Sequence, residues 1–112
     1  MKSVYKLGFE KSSGSYFIYS GSKNRDTPFW GSKTACLAIL AALQLDADIS
    51  FKIMKEWIAL NEWQMEGMNE EEIEEHINII GYIGMTRLKR IRQAERTILH
   101  KELWKEFLKE KK

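Results

Sequence analysis

Residues 29–45, FWGSKTACLAILAALQL, take the chain from a β-forming region into a helix, and this stretch decides the predicted fold. Gly31 separates the two regions, and Ser32 or Thr34 offers the side-chain oxygen that caps a helix N-terminus. The helix predicted over residues 35–45 is apolar on every face, so it has to be surrounded, either by its own domain or by a second subunit. A homodimer is therefore one expectation from this stretch.

The region before this helix is predicted to form antiparallel β structure. Tyr5, Leu7 and Phe9 alternate with polar residues or glycine, which is the pattern of a strand with one buried face. Residues 16–19, YFIY, follow a turn and are rich in β-forming side chains. Residues 27–30 are predicted as a short third strand. The N-terminal part is therefore expected to be a β-hairpin or a three-stranded sheet.

About four helices are predicted after the sheet. The apolar periodicity of residues 49–66 predicts the second helix. Asn69 and Glu72 have the spacing of a capping box, which starts the third. We expect this helix to end around residues 81–84, GYIG, and a fourth to run from Thr86 to the C-terminus. The last two helices are predicted to form an antiparallel helical hairpin.

These elements add up to a single α+β domain spanning residues 1–112. A small β-sheet is expected in residues 1–31 and a helical part in residues 32–112. The longest apolar run, residues 35–43, is much shorter than the ~18–20 residues that cross a bilayer, and the chain does not begin like a signal peptide. Cys36 is the only cysteine, which excludes an intramolecular disulfide and favours a reducing compartment. We therefore expect a cytoplasmic protein with no membrane partner.

Charge is sorted along the chain into three blocks. Residues 1–37 carry six Lys and Arg against two Asp and Glu, a balance of +4. Residues 38–84 carry two against ten, a balance of −8, and residues 85–112 carry ten against four, a balance of +6. The net charge of +2 thus hides an acidic middle between two basic ends. This separation indicates an internal electrostatic clamp, an interaction surface, or both.

The basic run at the start of the last predicted helix favours nucleic-acid binding. These cations lie near the helix N-terminus, where the macrodipole disfavours positive charge, and each exposed one destabilises the helix by about 0.3–1 kcal/mol. Such an unfavourable arrangement is expected where the helix N-terminus and the cations together bind a phosphate group. The predicted phosphate-binding residues on the helix are Arg87, Lys89, Arg90, Arg92 and Arg96. Additional predicted contacts come from Lys23, Arg25 and Lys33.

An internal ion-pair clamp explains the same charges equally well. In a helical hairpin that turns near residues 83–84, Glu71 would face Arg96 and Glu75 would face Arg92. The acidic and basic blocks would then neutralise each other within the monomer.

A second hypothesis makes the chain a protein-binding module, such as an inhibitor or adaptor of phage or mobile-element origin. It would present the acidic helix or the aromatic hairpin to its partner, because exposed tryptophans are typical interface anchors. The predicted protein-interface residues are Trp30, Trp63, Glu70, Glu71 and Glu74. Trp57 and Trp104 lie on or beside apolar helical stripes and are predicted to be core residues.

Residues for catalysis or metal binding are few. Cys36 lies among Ala and Leu in the most apolar helix, so we expect a buried packing residue rather than a nucleophile. Glu72 and His76 are four residues apart, but two side chains supply only part of a metal site of about four ligands. We therefore predict no enzyme activity, no metal site and no cofactor.

The order of elements in residues 4–45 is loosely similar to that of the arm-DNA-binding domains of tyrosine recombinases. The similarity rests on the strands followed by a helix and on residues 30–34, WGSKT, at the start of that helix. The helix departs from the family's pattern because it lacks a polar, charged face. The resemblance implies a sheet that faces a DNA groove. The basic residues concerned are Lys6, Lys11, Lys23 and Arg25.

Overall fold

A three-stranded antiparallel sheet opens the fold, as predicted. The computed structural model describes residues 5–20 and 27–110, so the predicted contacts Lys23 and Arg25 lie outside the described residues. The strands are β1 (Tyr5–Glu10), β2 (Ser15–Ser20) and β3 (Phe29–Gly31), in the spatial order β1-β2-β3. In the register of the sheet, Gly8 of β1 and Trp30 of β3 both pair with Phe17 of β2.

The sheet is followed by helices joined by short loops, so the described chain is an α+β fold. They are α1 (Lys33–Leu45), α2 (Phe51–Asn61), a 3₁₀ turn (Glu62–Met65), α3 (Glu70–His76), a π-helical segment (Ile77–Gly81) and α4 (Tyr82–Glu110). The last three follow one another without a break and make one long helix. The molecule is accordingly elongated, with extents of 60 × 33 × 29 Å.

Side-chain caps set the helix starts. Ser32 caps α1, and Ser50 caps α2. Asn69 and Glu72 form the predicted capping box of α3. The N–H of Glu72 donates to Asn69 Oδ1 at 2.9 Å, and the N–H of Asn69 donates to Glu72 Oε1 at 3.2 Å. Each cap satisfies N–H groups that have no partner inside the helix, so these positions fix where each helix begins.

Helix α1 lies at the centre of the hydrophobic core. Residues 35–39 and 41–43 are buried. The sheet covers one side of α1, while α2, α3 and the π-helical segment cover the other. Its own chain thus surrounds this helix, and the homodimer expected from its apolar faces is not needed to bury it.

The predicted hairpin between the last two helices is wrong. Residues 81–84 lie inside the long helix, and the N–H of Tyr82 donates to the carbonyl of Ile77 across the π-helical segment. Four separate helices are therefore not formed. Glu71 and Arg96 stand about 25 residues apart on one helix, or ~37 Å at 1.5 Å per residue. The predicted ion pair between them does not form, and neither does the one between Glu75 and Arg92.

Trp57 of α2 explains why a glycine occurs at residue 84, where a Cβ atom would overlap Nε1 of the indole ring. At Gly81, a Cβ atom would lie 2.7 Å from Cδ1 of Ile77 and 3.4 Å from Cη2 of Trp57. The glycines therefore let the indole ring lie against the backbone of the long helix, where Trp57 is only 5% exposed. Residues 81–84, which the sequence predicted to end a helix, instead form a close contact between two helices.

Replacing Gly84 with leucine is expected to destabilise the fold by at least ~2 kcal/mol. The new side chain would overlap the Trp57 ring, and overpacking typically costs about 1–3 kcal/mol or more, which outweighs the ~1 kcal/mol gained in helix propensity. Urea denaturation of G84L measures the loss. The matched control is A94L, which adds the same side chain at an exposed site on α4 and is expected to stay within ~0.5 kcal/mol of the parent. Equal stability of the two variants would contradict the packing role of Gly84.

Candidate nucleic-acid interface

Helix α2 packs antiparallel along the first part of α4. Trp57, towards the C-terminal end of α2, meets Gly81 and Gly84. At the opposite end of α2, Ser50 lines a groove together with Arg96 of α4. The part of α4 that carries most of the predicted phosphate-binding cations is therefore held against the domain.

Arg92 fastens α4 to α2. Its Nε donates to Glu56 Oε1 at 2.8 Å, its Nη2 donates to the same oxygen, and its Nη1 donates to Glu95 Oε2 at 2.7 Å. The hydrogen bond from Arg92 holds the pKa of the Glu56 carboxyl below its ordinary value, and the two carboxylates raise the pKa of Arg92. The acidic and basic blocks thus do pair, but the acidic partner comes from α2 rather than α3.

The groove between α2 and α4 collects cations from both helices. It has a volume of about 780 Å³. Lys52 of α2 and Lys89 and Arg96 of α4 line it, and none of these three makes an ion pair within residues 5–20 and 27–110. Ser50 places the N-terminus of α2, with its partial positive charge, at the same groove. The groove lining is electropositive, because its four cations (Lys52, Lys89, Arg92 and Arg96) outnumber its two carboxylates (Glu56 and Glu95).

One side of α4 is basic and polar over about three turns. Residues three, four and seven apart share a side of a helix. The side chains that do so here, which we call the basic–polar face, are Lys89, Arg90, Gln93, Arg96, Thr97, His100 and Lys101. All seven are exposed. The acidic residues Glu95, Glu102 and Glu106 fall on the opposite side of α4.

The predicted phosphate-binding residues divide into three groups. Lys89, Arg90 and Arg96 come together on the basic–polar face, and Arg87 is exposed at its edge. Arg92 is engaged in the contact with α2. Lys33 lies at the start of α1, and no contact found among the described residues connects it to α4.

Sequence reasoning missed several residues of this surface. The spacing from Lys89 through Gln93 and Thr97 to Lys101 was visible in the sequence, because the predicted fourth helix contains all four residues. Lys52 gave no such sign, because only the packing of α2 on α4 brings it to the groove.

The predicted protein-interface residues lie on separate elements. Trp63, in the 3₁₀ turn, is 67% exposed, and its Nε1–H donates to the carbonyl of Leu60 at 3.0 Å. Trp30 of β3 is 46% exposed and its ring lies 4.6 Å from that of Phe17, centroid to centroid. The predicted acidic residues surround a depression at the start of α3; they are Glu70, Glu71 and Glu74. Trp104, predicted as a core residue, is instead exposed on α4.

Cys36 is fully buried, as predicted. Burial, together with the charge of Glu62, raises the pKa of its thiol to about 11, so the thiol stays protonated at neutral pH. In the described ranges, no three or more His, Cys, Asp or Glu side chains are grouped in a way that would hold a metal ion. No helix in the same ranges is long and apolar enough to span a membrane.

The Glu56–Arg92 contact predicts a pH-dependent stability. Because the pKa of Glu56 is depressed in the folded state, its contribution is present above the ordinary carboxyl pKa of ~4.3 and is lost as the pH falls through the folded-state value. The E56Q variant is expected to melt below the parent protein at pH 7, and the difference is expected to close as the pH falls below about 4.

Melting curves between pH 7 and pH 3 measure this difference. E74Q serves as the control, since Glu74 is exposed and makes no ion pair with any described residue. A gap between E56Q and the parent that stays constant with pH would rule out the ion pair as its origin.

The basic–polar face lies on α4, outside residues 4–45, on which the expected likeness to arm-DNA-binding domains rested. Comparison with protein-family models, with curated proteins and with solved structures found no match to this chain.

Proposed function

We propose that the protein binds nucleic acid through the basic–polar face of α4. The observation that carries the proposal is a set of exposed cations without acidic neighbours on their side of the helix. Lys89, Arg90, Arg96 and Lys101 make no ion pair with any described residue. Cations left unpaired in this way remain available to phosphate groups.

The face has the layout of a helix that enters a major groove. An α-helix with its side chains is about 10–12 Å across, and the major groove of B-form DNA is about 12 Å wide. Lys89 and Arg96 border the face on one edge, and Arg90 and Lys101 border it on the other. Each edge then meets the phosphates of one strand.

Polar side chains lie between the two basic edges. Gln93, Thr97 and His100 occupy the middle of the face, and all three are exposed. Thr97 Oγ1 donates to the backbone carbonyl of Gln93 at 2.9 Å, and the exposed Gln93 side chain lines the groove between α2 and α4. A glutamine amide pairs in bidentate fashion with adenine in the major groove, and Thr and His side chains also bond to base edges. The cations therefore supply affinity, and this middle row supplies any base preference.

Arg92 positions the face without belonging to it. Its bonds to Glu56 of α2 hold α4 in a fixed rotation about its own axis. Arg90 and Lys101 then lie on the side of α4 away from α2, and Lys89 and Arg96 line the groove beside it. In this proposal, Arg92 is a positioning residue.

The test is fluorescence anisotropy of labelled duplex DNA, titrated with protein at several salt concentrations. The K89Q/R90Q variant is expected to bind at least tenfold more weakly than the parent. Each phosphate contact contributes about 0.9 to the slope of log K against log salt, so the slope is expected to become shallower by about 2.

The matched control is K55Q/K109Q, which removes the same charge from α2 and from the side of α4 opposite the basic–polar face. It is expected to retain the affinity and the salt slope of the parent, apart from a small uniform effect of net charge. If both variants bind DNA equally weakly, the affinity depends on the net charge of the protein and not on the basic–polar face. Absence of binding at low salt would overturn the proposal.

Protein binding through Trp63 is a second candidate function. Trp63 is 67% exposed and Leu60, whose carbonyl it bonds, is 64% exposed, so the end of α2 presents a small apolar surface held in place by a hydrogen bond. Exposed tryptophan is typical of interface anchors. If the parent protein fails to bind duplex DNA and single-stranded RNA at low salt, this surface becomes the leading candidate.

A further inference from the structure

The C-terminal part of α4 has a four-residue sequence pattern. Residues 99–110 read LHKE, LWKE, FLKE, so that two residues of mainly apolar character are followed each time by Lys and Glu. On an α-helix this spacing places the first two residues of each unit on one side and the Lys and Glu on the other. The segment is therefore a strongly amphipathic helix.

The apolar side of this segment faces solvent. The groove between α2 and α4 ends at Ser50, Arg96 and Leu99, so α4 continues beyond the end of α2. We call the large apolar side chains on this stretch the C-terminal apolar face: Leu99, Leu103, Trp104, Phe107 and Leu108. They are 57%, 56%, 56%, 44% and 51% exposed, respectively, and the rings of Trp104 and Phe107 stack at 5.5 Å.

We propose that a second copy of this chain covers the C-terminal apolar face, with the two α4 helices parallel. The inference concerns self-association and does not depend on nucleic-acid binding. The two surfaces meet at His100 and Lys101, so in the dimer the nucleic-acid contact falls to Lys89, Arg90 and Arg96. It stands on the exposed area and on the placement of charge beside it.

The area is sufficient for a specific contact. About half of five large side chains amounts to on the order of 500 Å² of apolar surface per chain, at the upper end of what monomeric proteins expose in one patch. Two copies that cover each other's face would bury about 1,000 Å² in total, which reaches the size expected of a biological interface.

Charge at the edges of the face sets the direction of pairing. Lys101 and Lys105 border one edge, and Glu102 and Glu106 border the other. A two-fold axis parallel to the helices brings the Lys edge of one copy against the Glu edge of the next. A two-fold axis perpendicular to them brings like edges together. Opposite charges therefore meet only in the parallel arrangement.

The same charges disfavour a lipid surface as the occupant. Helices that lie on membranes usually carry an excess of Lys and Arg on the polar side, which attracts anionic lipid. Residues 99–110 contain three Lys and three Glu, so this segment has no excess of positive charge.

Sedimentation equilibrium over a range of protein concentrations tests the self-association. The parent chain is expected to approach at least twice its 13.2 kDa mass as concentration rises. L103Q is expected to remain monomeric with an unchanged melting temperature, since Leu103 lies outside the core. K109Q, a change to the same residue on the polar side, is expected to associate like the parent.

A mass of 13.2 kDa for the parent at every concentration would overturn the proposal. In that case, binding to phosphatidylcholine–phosphatidylserine vesicles that L103Q abolishes would assign the face to a lipid surface instead. Equal association of L103Q and the parent would overturn the choice of this face.

The charge reversal E106K tests the direction of pairing. In a parallel pair it places Lys beside the Lys edge of the second copy, so the dimer Kd is expected to rise several-fold. In an antiparallel pair it replaces a Glu–Glu contact with an attractive one, so a fall in Kd would overturn the parallel arrangement.

Discussion

The contact between the Trp57 indole and the backbone at Gly81 and Gly84 is the constraint on which the rest of the structure depends. It lets α2 lie against the long helix with almost no intervening side-chain layer, and it places the ring among the core residues. Because α2 also packs on α1, this contact ties the long helix to the sheet-bearing part of the fold. Any side chain at Gly84 would separate the two helices and loosen the core beside them.

The ion pairs of Arg92 act on a different property, the rotation of α4 about its axis. Trp57 fixes how close the helices come, and Arg92 fixes which side of α4 points outwards. Both contacts lie between Gly81 and Arg92, and the residues that line the groove with α2 end at Leu99. One helix therefore has a first part packed on α2, which carries most of the basic–polar face, and a second part that carries the C-terminal apolar face.

The sequence predicted the elements that local chemistry determines. The first strand, the cap at Ser32 and the capping box at Asn69 all depend on neighbouring residues, and the structure confirms them. The buried face predicted for that strand forms only in part, because Tyr5 and Leu7 pack against the core whereas Phe9 is 51% exposed. The prediction of a helical hairpin was wrong because glycine has two different structural roles. It ends helices, and it also lets a bulky side chain approach a helix backbone, and only the position of Trp57 distinguishes them here. Of the predicted phosphate-binding residues, those on one side of α4 follow from helical spacing, whereas the partner of Arg92 and the position of Lys52 depend on tertiary packing.

The π-helical segment Ile77–Gly81 has a consequence for the orientation of everything that follows it. A π-helical turn holds about one residue more than an α-helical turn, and each residue turns the chain by ~100°. The side of α4 that meets water is therefore offset by roughly a quarter-turn from the side that an unbroken α-helix starting at Asn69 would present. The extra residue in this turn therefore rotates α4 about its axis relative to α3. As a result, the acidic side chains of α3 and the cations of α4 point in directions that an unbroken α-helix of the same sequence would not give them.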